Sequence, residues 1–354
     1  MEGKMLRNIV NTSVVVAAIG LLISAHSANA DEIWNMATAW GGGPILEEDA
    51  KGYAKMVDTL TDGRIRINVF PGGTLGSPLK VSDTVKSNVV QAGHTWMGYD
   101  WGIDKTTVLF GNMAGGLNPE ELIIWLHEAG ASDLWFEYRK EMFGVASIPC
   151  GIAPTEIFLH STKRVQTLED LKGLKIRTSG AWAEIAGNLG ASTVILPGAE
   201  VYPALERGVV DAIEWSSASI NLPSGFHKIA KYIIMPGVHQ PGAVFECVFN
   251  MDAWERISER DREILRLAGR LMILDSWTRY PYRDIAALEE MRSAGNEIVI
   301  LDSEFIRAAN KAADEWADKQ AAENAWFKRV LDHRRIFQKD MENWPKFRFP
   351  IGRR

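Results

Sequence analysis

An arginine near the middle of the chain could hold a small anion. Arg177 ends a predicted strand and is followed by Thr-Ser-Gly at 178–180. The planar guanidinium of arginine can hold a carboxylate through two parallel hydrogen bonds, and a glycine lets a ligand come close to the backbone. An arginine in such a position can equally belong to a structural ion pair, and the sequence does not decide between the two roles.

Oxygen-bearing side chains in other places could complete a site. Glu214 and Trp215 end another predicted strand, where Glu214 could instead be a rim carboxylate beside a core tryptophan. Glu156 lies in a segment predicted to cross between two lobes, and Gln240 stands before the predicted return crossing. If these side chains converge, two carboxylates and an amide suit a hard cation such as Ca²⁺ or Na⁺. Sequence spacing does not show whether they converge.

Aromatic residues predicted in the first lobe are candidates to close over a ligand. They are Trp40, Trp96, Tyr99 and Trp101. Aromatic side chains also pack hydrophobic cores, so each of them has a structural alternative.

The sequence lacks the local motifs of several enzyme classes. It has no nucleophile elbow, no metalloprotease helix and no phosphate loop. His160, His227 and His239 are scattered and have no visible triad partner, which predicts structural rather than catalytic roles for them.

The segments that must position these residues alternate between strand, helix and strand, as in an open α/β sheet. An eight-residue design occurs twice, at 85–92 and at 205–212. In each copy a predicted helix ends at a residue that tolerates left-handed geometry, Asn88 or Gly208, and a Val-Val-x-Ala strand follows. Each strand then runs into a polar and aromatic loop. The duplication predicts two similar lobes that present equivalent strand ends to a shared cleft.

The predicted fold class is α/β with two lobes, a long helix that spans both lobes, and C-terminal helices. The long helix is expected from Ser258 to Gly295, with a kink at Pro281. The last helix, predicted over 324–343, carries an apolar stripe that either packs back or pairs with a second subunit. The predicted division is a signal peptide at 1–30, lobe I at 31–148, lobe II at 149–243, the return crossing and long helix at 244–295, and C-terminal helices at 296–354.

The first thirty residues have the pattern of a cleaved export signal. Lys4 and Arg7 precede an apolar run at 14–25, and Ala-Asn-Ala at 28–30 is a small-x-small cleavage site. The alternative is a membrane anchor, but the apolar run is shorter than the about 20 residues that span a bilayer. Export predicts a periplasmic protein. The net charge of −6 disfavours nucleic acid as a partner.

The two cysteines, Cys150 and Cys247, lie one on each predicted crossing segment. Two cysteines exclude a disulfide-rich scaffold and a cysteine-ligated metal site. A bridge between them is conceivable in an oxidising compartment. Free, buried thiols are nevertheless predicted, because a bridge between paired strands needs unusual geometry.

Four stretches of the sequence resemble the periplasmic solute receptors of tripartite ATP-independent (TRAP) transporters. They are FPGGTLG at 70–76, VQAGHT at 90–95, DLKGLKIR at 170–177 and LPGAEVYPALERGVVDAIEW at 196–215. Together with 228–242, the last stretch resembles the branch of the family that binds 2-oxo and 2-hydroxy monocarboxylates with a metal ion. The resemblance covers nearly all of the chain after residue 30. It implies a periplasmic-binding-protein-like fold and a receptor that is not an enzyme.

The resemblance also implies roles for single residues. Arg177 is expected to grip the substrate carboxylate, and Glu214 with the main chain of Trp215 to hold a Ca²⁺ or Na⁺ ion that also touches the substrate. Gln240 is expected to complete the cation site. The family usually has glutamine where this chain has Glu156, and the extra charge at this position, facing both substrate and cation, favours a divalent ion or a different ligand.

The same resemblance implies partners. They are the membrane subunits of a TRAP transporter. A homodimer through the C-terminal helices is a separate expectation, which depends on the apolar stripe of the last helix and on that stripe not packing back on the chain. Two other classes stay open on the sequence alone. A secreted metal-dependent lyase or hydrolase could use Glu156 and Glu214 as acid and base. A structural envelope protein would bind no small ligand.

Overall fold

The computed structural model describes residues 32–348, which form eleven strands and thirteen α-helices. The strands are β1 (Glu32–Thr38), β2 (Ile65–Phe70), β3 (Ala92–Trp96), β4 (Val145–Ala153), β5 (Leu159–Ser161), β6 (Lys175–Arg177), β7 (Ser192–Val194), β8 (Ala212–Ile213), β9 (Tyr232–Met235), β10 (Ala243–Asn250) and β11 (Glu297–Ile300). The helices are α1 (Lys51–Leu60), α2 (Val81–Lys86), α3 (Thr107–Gly111), α4 (Pro119–His127), α5 (Ala131–Phe143), α6 (Ala181–Asn188), α7 (Gly198–Glu206), α8 (Ala218–Asn221), α9 (Met251–Arg256), α10 (Glu259–Ser293), α11 (Ser303–Glu323), α12 (Ala325–Met341) and α13 (Trp344–Arg348). The predicted signal peptide lies outside the described residues.

Two sheets form the centres of the two predicted lobes. The first has the strand order β2-β1-β3-β10-β4, and the second has the order β11-β9-β5-β8-β6-β7. In the first sheet β1 is parallel to β2 and β3, while β10 runs antiparallel to both of its neighbours. In the second sheet β8 is parallel to β6 and antiparallel to β5. Mixed sheets of this kind, covered by helices, confirm the two-lobed α/β prediction.

The chain passes between the sheets at 154–158 and returns at 236–242. The return therefore precedes the segment predicted for it, which begins at residue 244 and lies within β10 of the first sheet. Strand β4 stays in the first sheet as far as Ala153, past the predicted start of lobe II at residue 149. The position of the lobe boundaries remains a prediction.

The two copies of the repeated sequence segment adopt the same local structure. Asn88 and Gly208 both have left-handed backbones, with φ angles of 57° and 69°. The strands begin at Ala92 and Ala212, four residues later, so the Val-Val pairs belong to the turns rather than to the strands. In each pair the second valine is buried and the first is exposed. The two turns therefore anchor equivalent strands of the two sheets in the same way.

Helix α10 braces both lobes, as predicted. The Ser258 side chain accepts a hydrogen bond from the Asp261 amide and so begins the helix. Leu265 and Met272 near its start pack in the core of the first sheet, and Met291 near its end packs in the core of the second. Pro281 lies inside this helix, and the kink expected there stays a prediction.

The cysteine prediction is wrong: Cys150 and Cys247 form a disulfide, with their Cα atoms 5.7 Å apart. A β-bulge explains the geometry. Phe245 pairs with Gly151 and the next residue of β10 pairs with Pro149, so Cys150 is the extra residue of β4 and has no direct partner. The bulge takes Cys150 out of the regular pairing and brings it close to Cys247, although the ladder partner of Cys247 is Ile148.

The C-terminal segment differs from the prediction in one element. Residues 297–300 form β11, a strand parallel to β9, where only helices were expected. Helix α12 packs against α3, α4, α5 and α11 and buries Phe327, Val330 and Leu331. Its apolar stripe therefore packs back on the chain. Within residues 32–348 no helix is both long and apolar enough to cross a membrane.

Candidate functional site

A cavity lies between the two sheets. Eight of the nine predicted site residues line it: Trp40, Trp96, Tyr99, Glu156, Arg177, Glu214, Trp215 and Gln240. Trp101 is the exception and packs outside the cavity, with the Lys105 ammonium 6.0 Å from its ring centre. Ten further residues line the cavity, among them His239, Trp182, Phe245 and Met113.

The strand order explains why these residues meet. Arg177 is the last residue of β6, and its neighbour in β8 is Ile213, directly before Glu214. In the first sheet β1 and β3 are parallel neighbours, and Trp40 and Trp96 stand at their carboxyl ends. The carboxyl ends of parallel strands are where open α/β sheets bind ligands. Both sheets turn these ends toward the same cavity.

Arg177 is almost completely buried and is held by the protein itself. Its Nη1 donates to the main-chain oxygen of Glu214 at 2.9 Å and to the Glu214 carboxylate at 3.1 Å. Its Nε and Nη2 donate to the Leu196 carbonyl at 3.2 and 3.0 Å. Counting five N–H donors, one N–H of Nη2 is left for a ligand. The two-pronged grip expected from the sequence therefore requires Glu214 to release Nη1.

Glu156, Glu214 and His239 form a buried cluster on the floor of the cavity. Nε2 of His239 lies 3.1 Å from a carboxylate oxygen of Glu156 and 3.8 Å from one of Glu214. One donor atom from each of the three residues lies within 4.8 Å of the others. The crossing segments make this possible, since the amide of Glu156 donates to the carbonyl of Gln240 at 3.2 Å.

Burial and neighbouring charges set the protonation of this cluster. Burial raises the pKa of Glu156 to about 7, against the opposing effect of His239. Burial acts in the same direction on Glu214, but the charges of Arg177 and His239 outweigh it and hold the pKa of Glu214 below its ordinary value. Burial alone would lower the pKa of His239, yet the hydrogen bonds that its ring donates to the two carboxylates, and their negative charges, raise that pKa to about 9. Two buried carboxylates thus demand a positive partner.

Gln240 turns its oxygen toward the cavity. Its Nε2 donates to the carbonyls of Gly111 and Gly242, both at 2.9 Å. Two main-chain acceptors fix the amide orientation, because the amide oxygen could not bond to them. The side-chain oxygen remains as an acceptor that a cation or a donor group of a ligand can use.

Aromatic side chains form the wall contributed by the first sheet. Trp96 reaches across to the second lobe, where a Cβ atom placed on Gly180 would lie 2.8 Å from its ring. Gly180 also has a φ angle of +61°. The glycine was expected to admit a ligand, and in this structure it admits Trp96. Burial raises the pKa of Tyr99 to about 12, so its hydroxyl stays protonated and can donate to an anion.

A buried ion network holds the loop that carries Trp96 and Tyr99. Arg139 of α5 donates to Asp100 at 2.9 Å and to Glu246 of β10 at 2.8 Å. Asp100 follows Tyr99 directly, and Glu246 follows Phe245, another residue of the cavity wall. The network therefore fastens two parts of the aromatic wall to one helix.

His239 is the residue that the sequence reasoning missed. It was predicted to be structural because no triad partner is visible in the sequence. In the structure its partners are Glu156 and Glu214, which lie 83 and 25 residues away along the chain. Its position beside Gln240 in the return crossing was the available signal, since a histidine next to a predicted cation ligand can reach the same ion.

Comparison with known proteins identifies the family. The family model for bacterial extracellular solute-binding proteins, family 7 (DctP), matches residues 36–324. The chain belongs to this family. The family consists of solute-binding receptors of transporters.

Individual relatives agree with this placement. The chain is 28% identical to a monocarboxylate 2-oxoacid-binding periplasmic protein of Nostoc sp., over 96% of this chain and 95% of that protein. Two solved TRAP transporter solute-binding proteins are similar in structure. One, from Pseudoalteromonas atlantica with bound sodium and pyruvate, has a TM-score of 0.84 and 31% identity, covering 90% of this chain and 97% of that one. The other, from Bordetella bronchiseptica with copurified calcium and picolinate, has a TM-score of 0.87 and 26% identity, covering 90% and 95%.

Proposed function

We propose that this chain is an extracytoplasmic receptor that binds a small 2-oxo or 2-hydroxy monocarboxylate together with a cation, for uptake by a TRAP transporter. The observation that carries the proposal is the arrangement of Arg177 and the carboxylates of Glu156 and Glu214 around one buried cavity. The Arg177 guanidinium can bind the substrate anion, and the two carboxylates can bind a cation.

Charge balance favours a cation as the mediator. Arg177 and protonated His239 balance the two carboxylates, so a bound carboxylate ligand adds one uncompensated negative charge to this buried site. A cation would offset that charge, and the ligand carboxylate would pair with Arg177. A 2-oxo or 2-hydroxy oxygen placed next to the carboxylate could then complete the shell of the ion, since hard cations bind oxygen donors. The ligands reported for the two solved relatives, pyruvate and picolinate, each pair a carboxylate with a neighbouring donor atom.

The residues present fit Ca²⁺ or Na⁺ in their donor types. Glu156, Glu214 and the oxygen of Gln240 are candidate side-chain ligands, and the main-chain oxygen of Trp215 is the further ligand expected from the resemblance. Trp40, Trp96 and Tyr99 would cover the ligand and exclude water, which strengthens the contact of the anion with Arg177.

The test is calorimetry of pyruvate binding to chelator-treated protein, with Ca²⁺, Na⁺ or neither added back. We expect pyruvate to bind with an added cation and to bind much more weakly without it. Arg177→Ala should abolish binding. Arg207→Ala is the matched control, because Arg207 is an exposed arginine of the same lobe and should leave binding unchanged. Equal binding before and after chelation would contradict the cation bridge, and no binding of any 2-oxo or 2-hydroxy acid would contradict the receptor role.

An enzyme that uses Glu156 and Glu214 as acid and base is the second candidate, favoured by the raised pKa of Glu156. Incubation of 2-oxo acids with the metal-loaded protein separates the two functions. A receptor returns its ligand unchanged, whereas product formation that depends on Glu156 would establish an enzyme.

Location and assembly belong to the same proposal. We expect cleavage after Ala30, release into the periplasm and docking of the closed form on transporter membrane subunits. A homodimer through the C-terminal helices remains a prediction, and α12 already uses much of its apolar stripe within the chain. Mass spectrometry of the exported protein tests the cleavage after Ala30, and light scattering tests the homodimer.

A further inference from the structure

We propose that Trp96 limits the size of the ligand, so that the receptor prefers 2-oxo and 2-hydroxy monocarboxylates with a short, uncharged substituent. This inference rests on the proposed function, because it concerns the ligand of the same cavity. It adds which acids of that class the cavity accepts.

Three glycines enclose the indole of Trp96. A Cβ atom placed on Gly98 would lie 2.2 Å from the indole, one on Gly111 would lie 2.6 Å from the indole nitrogen, and one on Gly180 would lie 2.8 Å from the ring. Non-bonded carbon atoms pack at about 3.5–4.0 Å, so no larger residue fits at these positions beside the indole. Gly98 and Gly111 lie between β3 and β4, whereas Gly180 follows β6 of the second sheet. Backbone from both sides of the cavity therefore confines the ring.

A hydrogen bond fixes the orientation of the indole within this enclosure. Its Nε1 donates to the carbonyl of Gly111 at 2.9 Å. Tyr99 packs against the indole edge to face, with the ring centres 5.4 Å apart. An indole whose only donor is satisfied and whose faces are packed has little freedom to turn. Trp96 is therefore a fixed part of the cavity wall rather than a movable cover.

The polar groups of the cavity determine which part of the ligand meets this wall. In the proposed function the ligand carboxylate pairs with Arg177, and the 2-oxo or 2-hydroxy oxygen contacts the cation. The carbonyl of Gly111, which accepts from Trp96, also accepts from the Gln240 amide at 2.9 Å, so the indole lies next to a proposed cation ligand. The remaining substituent of the ligand must point away from these polar groups. It then meets the aromatic wall to which Trp96 belongs.

The other wall residues favour an uncharged substituent. Met113, Trp182 and Phe245 line the cavity with apolar surface. Of the described residues that line the cavity, Arg177 is the only lysine or arginine, and His239 is already paired with Glu156. A second carboxylate at the end of a longer substituent would be buried without a cationic partner, which is costly.

A purely structural role of Trp96 is the alternative. Loss of packing alone would weaken the binding of all acids alike, whereas loss of a size limit would change the preference among them. The ratio of two affinities therefore distinguishes the two roles. Trp101 provides the matched control, because it is a tryptophan five positions later in the same segment and packs outside the cavity.

The experiment measures binding of pyruvate, 2-oxobutyrate, 2-oxovalerate and 2-oxoglutarate by calorimetry with Ca²⁺ present. The wild type should bind pyruvate most tightly, 2-oxovalerate more weakly and 2-oxoglutarate least. Trp96→Ala should raise the ratio of 2-oxovalerate affinity to pyruvate affinity by at least about tenfold, since one methylene in a pocket is worth about 10–200-fold in discrimination. Trp96→Phe should raise this ratio less, and Trp101→Ala should leave it unchanged.

The wild-type series judges the size limit even if a Trp96 variant does not fold, which circular dichroism would show. Equal affinity of the wild type for pyruvate and 2-oxovalerate overturns the inference, and so does an unchanged ratio in folded Trp96→Ala or Trp96→Phe. Failure of the wild type to bind any of these acids would refute the proposed function and this inference together. Pyruvate binding without the expected preference refutes the inference alone.

Discussion

The disulfide between β4 and β10 should contribute strongly to stability. Cys150 and Cys247 are separated by 97 positions in the sequence, so their bond closes a long loop in the unfolded chain. In the chain-entropy account a loop of this length lowers the entropy of the unfolded state enough to stabilise the folded protein by about 4.7 kcal/mol at 25 °C. For a protein of this size the corresponding change in Tm is roughly 7 °C.

The assay compares urea unfolding of the oxidised and reduced wild type, followed by tryptophan fluorescence. The reduced protein should unfold at a markedly lower urea concentration. The Cys150→Ala/Cys247→Ala double variant should not respond to reductant, which controls for any effect of the reductant itself. Thiol titration of denatured, unreduced wild type should find no reactive thiol. Two reactive thiols, or equal unfolding midpoints for oxidised and reduced wild type, would refute the reasoning.

Three further predictions concern the cleft. Arg177→Ala should lose about 3–5 kcal/mol of ligand binding and also lower Tm, because it leaves the buried Glu214 without its guanidinium, and Arg177→Lys should recover little. Calorimetry with near-native affinity would remove Arg177 from the site. Glu156→Gln should weaken the binding of divalent ions relative to that of Na⁺, because it removes one of two buried negative charges. An unchanged ratio of Ca²⁺ affinity to Na⁺ affinity would contradict this prediction. Gly180→Ala should hinder closure over the ligand, because its Cβ would meet Trp96, whereas Gly187→Ala in open space should not; small-angle scattering of the ligand-bound proteins decides between them.

Much of the site was accessible from sequence because it follows strand ends. Arg177 and Glu214 end neighbouring parallel strands, and parallel strands place their carboxyl ends at one edge of a sheet. The duplicated turns at Asn88 and Gly208 revealed the equivalent strands of the two lobes. Local patterns of this kind report directly on geometry.

What the sequence did not reveal depends on irregular or long-range structure. His239 lies in the return crossing, which has neither helical nor strand periodicity, so nothing local relates it to Glu156. The bulge at Cys150 shifts the register by one residue, and its local signal, Pro149 and Gly151 on either side of the cysteine, does not say that the bulge permits a disulfide. Strand β11 has four residues between two long helices and exists because β9 offers it an edge.

The disulfide between Cys150 and Cys247 also separates two groups of cavity residues along the sequence. Glu156, Arg177, Glu214, His239 and Gln240 all lie inside the closed loop, whereas Trp40, Trp96 and Tyr99 are encoded before it. Recombination or mutation upstream of the loop can thus reshape the pocket for the side chain of a ligand while the charged cluster is inherited intact. A receptor built in this way can change its preferred acid without rebuilding the groups proposed to bind the ion.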